Sequence, residues 1–178
     1  STMRDALVAG LSLNIFNKHC DRVKMANIAQ LINVLQAVIL TDGPRMLRTP
    51  TYHVFHMYKY HQDADLVESY LDGVETIGEE EEYMVPSLQE SVSIDKEGIL
   101  TITLNNLSVD KDEPVEISFA ECQTKEVTAA ILNNEMHAYN TFEDPDKVHE
   151  EVFSNYTVEI GMIRFTMPAS SVVQFRVR

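Results

Sequence analysis

Apolar residues follow two different patterns along the chain, and the change between them falls near residue 62. Before that point they form helix-like clusters and continuous runs. Beyond it they alternate with polar residues in short stretches bounded by turn-forming residues. The pattern therefore predicts an α/β portion over residues 1–61 and a β portion over residues 62–178.

The first portion begins with a predicted helix over residues 2–17, where Thr2 and Asp5 have the spacing of a capping box. This helix is apolar on most faces, so we expect it to be covered on most sides. The elements predicted after it are a short buried strand over residues 23–29, an apolar hairpin over residues 34–48 and a helix over residues 49–61. These elements contain too few strands to close a sheet or a barrel of their own.

The second portion is predicted to be entirely β. Its clearest strand covers residues 99–104, where apolar residues alternate with threonine. Further strands are predicted at residues 115–120, 126–132, 156–160, 162–167 and 172–177, with weaker candidates at 66–71 and 87–94. Roughly seven or eight short strands at this spacing are typical of an antiparallel β-sandwich or jelly roll.

Composition narrows the classes of partner. The formal net charge is -14, which argues against a nucleic-acid partner and against anionic membranes. No apolar run approaches the length of about twenty residues that spans a bilayer, and the opening residues carry no recognisable targeting segment. Cys20 and Cys122 fit neither a metal motif nor a disulfide framework, so we expect free, buried thiols.

The histidines at residues 53, 56 and 61 suggest a metal site, but the spacing does not support one. The metalloprotease pattern needs two histidines four residues apart with a glutamate after the first, and Val54 stands at that place. The acidic run GEEEE at residues 78–82 is expected to be a solvated loop. We therefore predict neither a metal nor another cofactor. Residues 1–61 also contain no glutamate, and so no evident pair of carboxylates for acid–base catalysis.

Two stretches remain candidates for function. Asn27, Gln30, Asn33 and Gln36 recur every third residue in the least polar part of the chain. An amide at the end of an apolar strand can present a ligand to a substrate in a barrel, or such amides can simply satisfy buried backbone groups. The long segment of residues 136–152 is either functional or interfacial, or it is a packed surface loop.

Several of these motifs together resemble one enzyme family. The runs RDAL at residues 4–7, NIFNKHCDRVKMANIAQ at residues 14–30 and TPTYHVFHMY at residues 49–58 occur in this order. They closely resemble the C-terminal part of family 51 glycoside hydrolases, the α-L-arabinofuranosidases. The resemblance is weaker in the second portion, where HAYNTFEDPDKV at residues 137–148 is similar to the family's HNTF-containing loop.

The resemblance implies a (β/α)8 barrel followed by a C-terminal β-sandwich. Residues 1–61 would be the last helix–strand–helix portion of the barrel, and residues 62–178 the antiparallel, jelly-roll-like sandwich. The predicted fold class is thus an α+β fragment. Retaining enzymes of this family use two glutamates, about 5 Å apart, and both would precede the segment that matches here. This chain would then hold no catalytic residue. Gln30 matches the position of a glutamine that binds the sugar.

These expectations define a function and its alternatives. The chain would be the C-terminal part of an exo-acting arabinofuranosidase and inactive alone. Its partner would be an arabinose-containing oligosaccharide or polysaccharide, bound together with the missing barrel. We also expect a homo-oligomer, because exposed apolar surface favours association. The alternatives are a non-catalytic sandwich that binds carbohydrate, and one that serves only structural or oligomer contacts. The absence of tryptophan counts against carbohydrate binding.

Overall fold

The computed structural model describes residues 1–29, 31–119 and 126–178. The candidate ligand Gln30, the predicted strand end at Ala120 and the thiol of Cys122 lie outside the described residues. The helices are α1 (Met3–Lys18) and α2 (Pro50–Tyr58), with short 3-10 turns at Lys59–His61 and Glu81–Tyr83. In the described part of the chain, neither helix is long and apolar enough to cross a membrane.

The strands follow the predicted order closely in the second portion of the chain. They are β1 (Ile39–Asp42), β2 (Arg45–Arg48), β3 (Asp65–Val67), β4 (Thr76–Ile77), β5 (Val85–Pro86), β6 (Leu88–Ile94), β7 (Leu100–Asn106), β8 (Glu113–Ser118), β9 (Val127–Asn133), β10 (Glu150–Val152), β11 (Tyr156–Glu159), β12 (Met162–Met167) and β13 (Ser171–Val177).

Two antiparallel sheets form the body of the molecule. The larger sheet has the order β10-β9-β13-β7-β6-β3, and the smaller one has the order β11-β12-β8. Apolar side chains from both sheets meet in one core, in which Phe175 of β13 and Ile163 of β12 are fully buried. The prediction of an antiparallel β-sandwich is confirmed, and the fold is α+β.

The larger sheet is buried on both faces. Val173 lies in the core between the sheets, whereas its neighbour Val172 belongs to a second cluster with Met3 of α1 and Val54 of α2. Successive side chains of a strand point to opposite faces. The two helices therefore cover the face of the larger sheet that points away from the smaller sheet.

A buried polar layer joins α1 to this sheet. We use the name for Asn14, His61, Ser91, Ser93 and Thr103. The Asn14 Oδ1 atom accepts hydrogen bonds from the hydroxyls of Ser91 (2.7 Å) and Thr103 (2.9 Å). The His61 ring contacts the Ser93 hydroxyl at 2.7 Å and the Thr103 hydroxyl at 3.0 Å. These side chains form a continuous hydrogen-bonded network in the interface.

Gly10 allows a close approach next to this layer. A Cβ atom at Gly10 would lie 2.6 Å from the Asn105 Oδ1 atom of β7. The Tyr58 hydroxyl donates to the Gly10 carbonyl at 3.2 Å, and the Asn105 amide donates to the Tyr58 hydroxyl at 3.4 Å. Burial raises the pKa of Tyr58, which therefore remains a neutral donor.

The start of α1 agrees with its prediction, but its coverage does not. The Thr2 amide donates to the Asp5 carboxylate at 2.7 Å, as in a capping box. We expected the helix to be covered on most sides, yet Val8, Ile15 and Phe16 are exposed. The described residues supply partners for one side of the helix, from α2 and the larger sheet, and for its first residues, from the loop that contains Met136 and Ala138.

The buried strand predicted over residues 23–29 is wrong. These residues have no regular secondary structure, and Met25 is 75% exposed. A strand needs hydrogen-bonded neighbours on its edges, and none of the described strands pairs with this segment. Two smaller predictions are also wrong. The strand predicted at residues 66–71 is only the short β3, and Cys20 is a free but exposed thiol.

Candidate functional site

The segment that follows Gln30 is held by the hairpin of β1 and β2. Ile39 of β1 donates its amide to the Leu31 carbonyl at 3.3 Å, and the Asn33 amide donates to the Ile39 carbonyl at 3.2 Å. Ile32 and Ile39 also form an isolated parallel bridge. Residues 31–33 therefore lie against the hairpin as a short third segment.

Asn33 uses its side chain to fix this arrangement. Its Oδ1 atom accepts the Thr41 amide at 2.7 Å, and its Nδ2 atom donates to the Thr41 hydroxyl at 2.8 Å. The backbone of Asn33 is left-handed, with φ of 55°, a conformation that asparagine tolerates better than most residues. Asn33 therefore bonds a backbone amide and a hydroxyl, but in an exposed connection rather than in the buried one that the sequence suggested.

The hairpin itself has the predicted turn and pairing. Asp42 and Arg45 pair across a two-residue turn in which Gly43 has a φ of 56°. Beyond β2, Thr49 begins α2, but its hydroxyl does not cap the helix. It donates instead to the Ala37 carbonyl at 3.0 Å, which ties the residues before β1 to the start of α2.

The loop of residues 136–149, which extends from the sandwich, packs against the hairpin. Asn140 is buried and donates to the Arg48 carbonyl at the end of β2 at 2.8 Å. The Arg45 guanidinium lies over the Phe142 ring, 4.8 Å from its centroid. This long loop is therefore an interface between the sandwich and the hairpin, which is one of the two interpretations left open by its sequence.

The three candidate histidines have separate environments. His61 belongs to the buried polar layer, and His56 pairs with Glu150 at 2.6 Å. His53 is buried, and its two ring nitrogens have no hydrogen-bond partner in the described part of the chain. Burial, and after it the nearby Arg48 guanidinium, lowers the pKa of His53 to about 4. Residues 1–29, 31–119 and 126–178 contain no group of three ligands that could hold a metal ion.

A shallow cavity of about 660 Å³ lies on the smaller sheet, away from the hairpin. Glu116, Tyr156 and Arg164 are among its lining residues. Arg164 pairs with both Glu116 and Glu159, so its charge is already neutralised by neighbours. Its aromatic lining residues are Tyr156, which is half-buried against the core, and Phe165, which is buried. The cavity therefore lacks the exposed aromatic platform that a carbohydrate-binding face uses.

Comparison with known proteins identifies the family. The model of the α-L-arabinofuranosidase C-terminal domain matches residues 1–171. The chain belongs to this family. Its match covers both the helical portion and the sandwich.

Individual relatives agree with the match to the arabinofuranosidase C-terminal domain. The chain is 39% identical over 174 residues to an intracellular exo-α-L-arabinofuranosidase of Bacteroides ovatus, and the match covers 97% of this chain and 34% of that protein. The crystal structure of a family 51 arabinofuranosidase from Xanthomonas axonopodis pv. citri matches with a TM-score of 0.93 and 37% identity, over 100% of this chain and 36% of that one. The chain thus spans about a third of the length of these relatives.

A structure of the Bifidobacterium longum family 51 enzyme AbfB shows the same fold, with a TM-score of 0.90 at 24% identity, over 100% of this chain and 35% of that one.

Within this arabinofuranosidase C-terminal domain, the sequence did not predict the contacts of Arg45 and Arg48. Both arginines lie in a short apolar hairpin, and only the folded position of the 136–149 loop shows their roles.

Proposed function

We propose that this chain is the C-terminal portion of a retaining, exo-acting α-L-arabinofuranosidase, which releases terminal arabinofuranosyl groups from arabinoxylan or arabinan. The identity of 39% to the Bacteroides ovatus exo-enzyme, over nearly the whole chain, carries the proposal. The substrate would be an arabinose-containing glycan bound jointly with the remaining two-thirds of the enzyme. No cofactor is needed for glycoside hydrolysis by two carboxylates.

Residues 1–61 would be the last helix–strand–helix portion of a (β/α)8 barrel, and residues 62–178 the sandwich that supports it. The exposed apolar side chains of the first portion are those that the rest of a barrel would cover. Soluble proteins rarely leave large apolar patches in water unless a partner covers them. The exposed apolar residues of the first portion are Val8, Ile15, Phe16, Met25, Leu31, Ile32, Leu35 and Met46.

The catalytic work would be divided between the two parts of the enzyme. In a retaining mechanism one glutamate attacks the anomeric carbon and the other protonates the leaving oxygen. Both would belong to the preceding part of the barrel. Gln30 would contribute a hydrogen bond to the sugar, as its position in the KMANIAQ motif suggests. A neutral amide suits this role because it can donate to one hydroxyl and accept from another.

Hydrolysis of an aryl α-L-arabinofuranoside tests the proposal. The present chain should be inactive, and the same chain extended by its native preceding sequence should be active. In the extended enzyme, Gln30→Ala should lower kcat/KM by about ten-fold or more, the effect of losing ~1.4 kcal/mol or more of transition-state binding. Gln36→Ala is the matched control, since Gln36 is an exposed amide of the same segment. Activity in the present chain would overturn the division of catalytic residues.

Self-association is a second part of the proposal. The exposed apolar side chains of the first portion would favour a homo-oligomer of the chain when no barrel covers them. Light scattering should give a mass above the 20.2 kDa of one chain. A monodisperse monomer at micromolar concentration would contradict this part without affecting the catalytic proposal.

A further inference from the structure

The 136–149 loop is firmly attached to the helical side of the molecule. The carbonyls of Ala138 and Met136 accept the amides of Met3 and Arg4, each at 2.9 Å, at the start of α1. These amides are among those that a helix leaves without intrahelical partners. Val148 is fully buried in the cluster with α1 and α2. The loop is therefore a fixed support for whatever it contacts.

This loop contacts β2 at both ends. At the end that leads to α2, Asn140 donates to the Arg48 carbonyl and also exchanges two hydrogen bonds with the backbone of Val148, at 2.7 and 2.8 Å. At the turn, Phe142 lies under the Arg45 guanidinium, and the Glu143 carboxylate is 3.6 Å from it. Two contacts at opposite ends fix both the position and the direction of a four-residue strand.

The opposite strand of the hairpin transmits this constraint. Arg48 pairs with Ile39, and Ile39 bonds the backbone of Leu31 and Asn33. Nearer the turn, Thr41 lies opposite Met46 and bonds the Asn33 side chain twice. A short series of backbone and side-chain hydrogen bonds therefore connects the sandwich to residues 31–33.

We propose that the 136–149 loop is a positioning element of the sandwich, which acts through Phe142 and Asn140 on the β1–β2 hairpin and so sets the backbone of residues 31–33. This inference rests on the proposed function, in which the residue before this segment binds the sugar. The sandwich then contributes to substrate binding without touching the substrate. Phe142 is a positioning residue in this scheme.

Amide hydrogen exchange on the present chain tests the physical part of the inference. Phe142→Ala removes the ring under Arg45 and should make the Thr41 amide exchange about two- to five-fold faster, the range expected for losing one exposed cation–π contact. Tyr139→Ala is the matched control, because it removes a 54% exposed aromatic ring from the same loop. Equal exchange at Thr41 in the two variants would overturn the inference. Asn140→Ala should increase the exchange rate of the Ile39 amide by a larger factor. If the Asn140→Ala variant does not fold, the comparison of Phe142→Ala with Tyr139→Ala still decides the question.

Kinetics of the extended enzyme test the functional part. Phe142→Ala should raise KM for the aryl arabinofuranoside several-fold with kcat little changed, since a misplaced binding segment weakens ground-state and transition-state binding alike. Tyr139→Ala should leave both constants unchanged. Suppose that Gln30→Ala lowers activity but Phe142→Ala has the same KM as Tyr139→Ala. That result would overturn the positioning role of Phe142 and leave the sugar-binding role of Gln30 intact. An enzyme insensitive to Gln30→Ala would instead contradict the sugar-binding role of that residue.

Discussion

Gly10 is the residue at which α1 lies against the Asn105 side chain of β7, and replacing it with alanine probes how tightly the helix is seated. The added methyl group would lie 2.6 Å from Asn105 Oδ1, 2.9 Å from Nδ2 and 3.1 Å from Cγ. Asn105 is fully buried and donates to Tyr58. It therefore has to move as a whole, and that movement breaks the hydrogen bond.

The expected destabilisation follows from three opposing effects. Overpacking a buried site costs about 1–3 kcal/mol, and the lost hydrogen bond costs about 1 kcal/mol. Alanine is favoured over glycine within a helix by about 1 kcal/mol. Gly10→Ala should thus lower the free energy of unfolding by about 2 kcal/mol. For a chain of this size, the corresponding fall in Tm is about 4–8 °C.

A double-mutant cycle with Asn105→Ala separates the steric effect from the helix propensity. Asn105 Oδ1 has no partner among the described atoms, so removing this side chain also removes a buried, unsatisfied acceptor. In that background Gly10→Ala should stabilise the protein by about 1 kcal/mol, giving a coupling energy of about 3 kcal/mol between the two positions. Urea denaturation of the four proteins measures it. If Gly10→Ala has the same effect in both backgrounds, the close contact between Gly10 and Asn105 does not determine how near α1 lies to β7.

Two further predictions concern stability. Burial lowers the pKa of His53 and of His61 to about 4 from an ordinary value of 6.5, so the unfolded chain binds more protons between these values. Stability should be fully present above pH 6.5 and fall as pH drops towards 4, by at most about 3 kcal/mol for each histidine. Between pH 6.5 and pH 4, the urea midpoint of His61→Gln should fall less than that of the unchanged protein. An equal fall in the two proteins would contradict the role of His61. Phe175→Ala should cost about 3–5 kcal/mol, because the ring is fully buried between Phe153 and Phe165; an exposed-site variant, Val158→Ala, should change stability little.

The sandwich was predictable because its strands carry their signal locally. Residues 162–167 alternate so regularly that the predicted strand has the bounds of β12. The period-two pattern could not predict what covers the polar positions. Ser91 and Thr103 have the pattern of solvent-facing residues, yet both are buried against α1. Only the contact with Asn14 distinguishes these hydroxyls from exposed ones.

The first portion was less predictable because its signals depend on distant parts of the chain. The apolar residues 23–29 have the composition of a buried strand, but none of the described strands pairs with them. The hairpin was correctly predicted from Gly43 and its flanking apolar residues. Its contact with Phe142 joins positions almost a hundred residues apart, and no local pattern encodes such a contact. For Gln30, the sugar-binding role stays a prediction.

The buried polar layer has a consequence for how this molecule can be divided. Most side chains on the helix-facing side of β6 and β7 are hydroxyls or amides, among them Ser91, Ser93, Thr103 and Asn105. Water can replace α1 as the hydrogen-bond partner of such groups. A sandwich produced without residues 1–61 would therefore present a polar surface along β6 and β7. Its newly exposed apolar surface would lie on β9, β13 and the 136–149 loop, where Leu132, Val172 and Val148 pack against the helices.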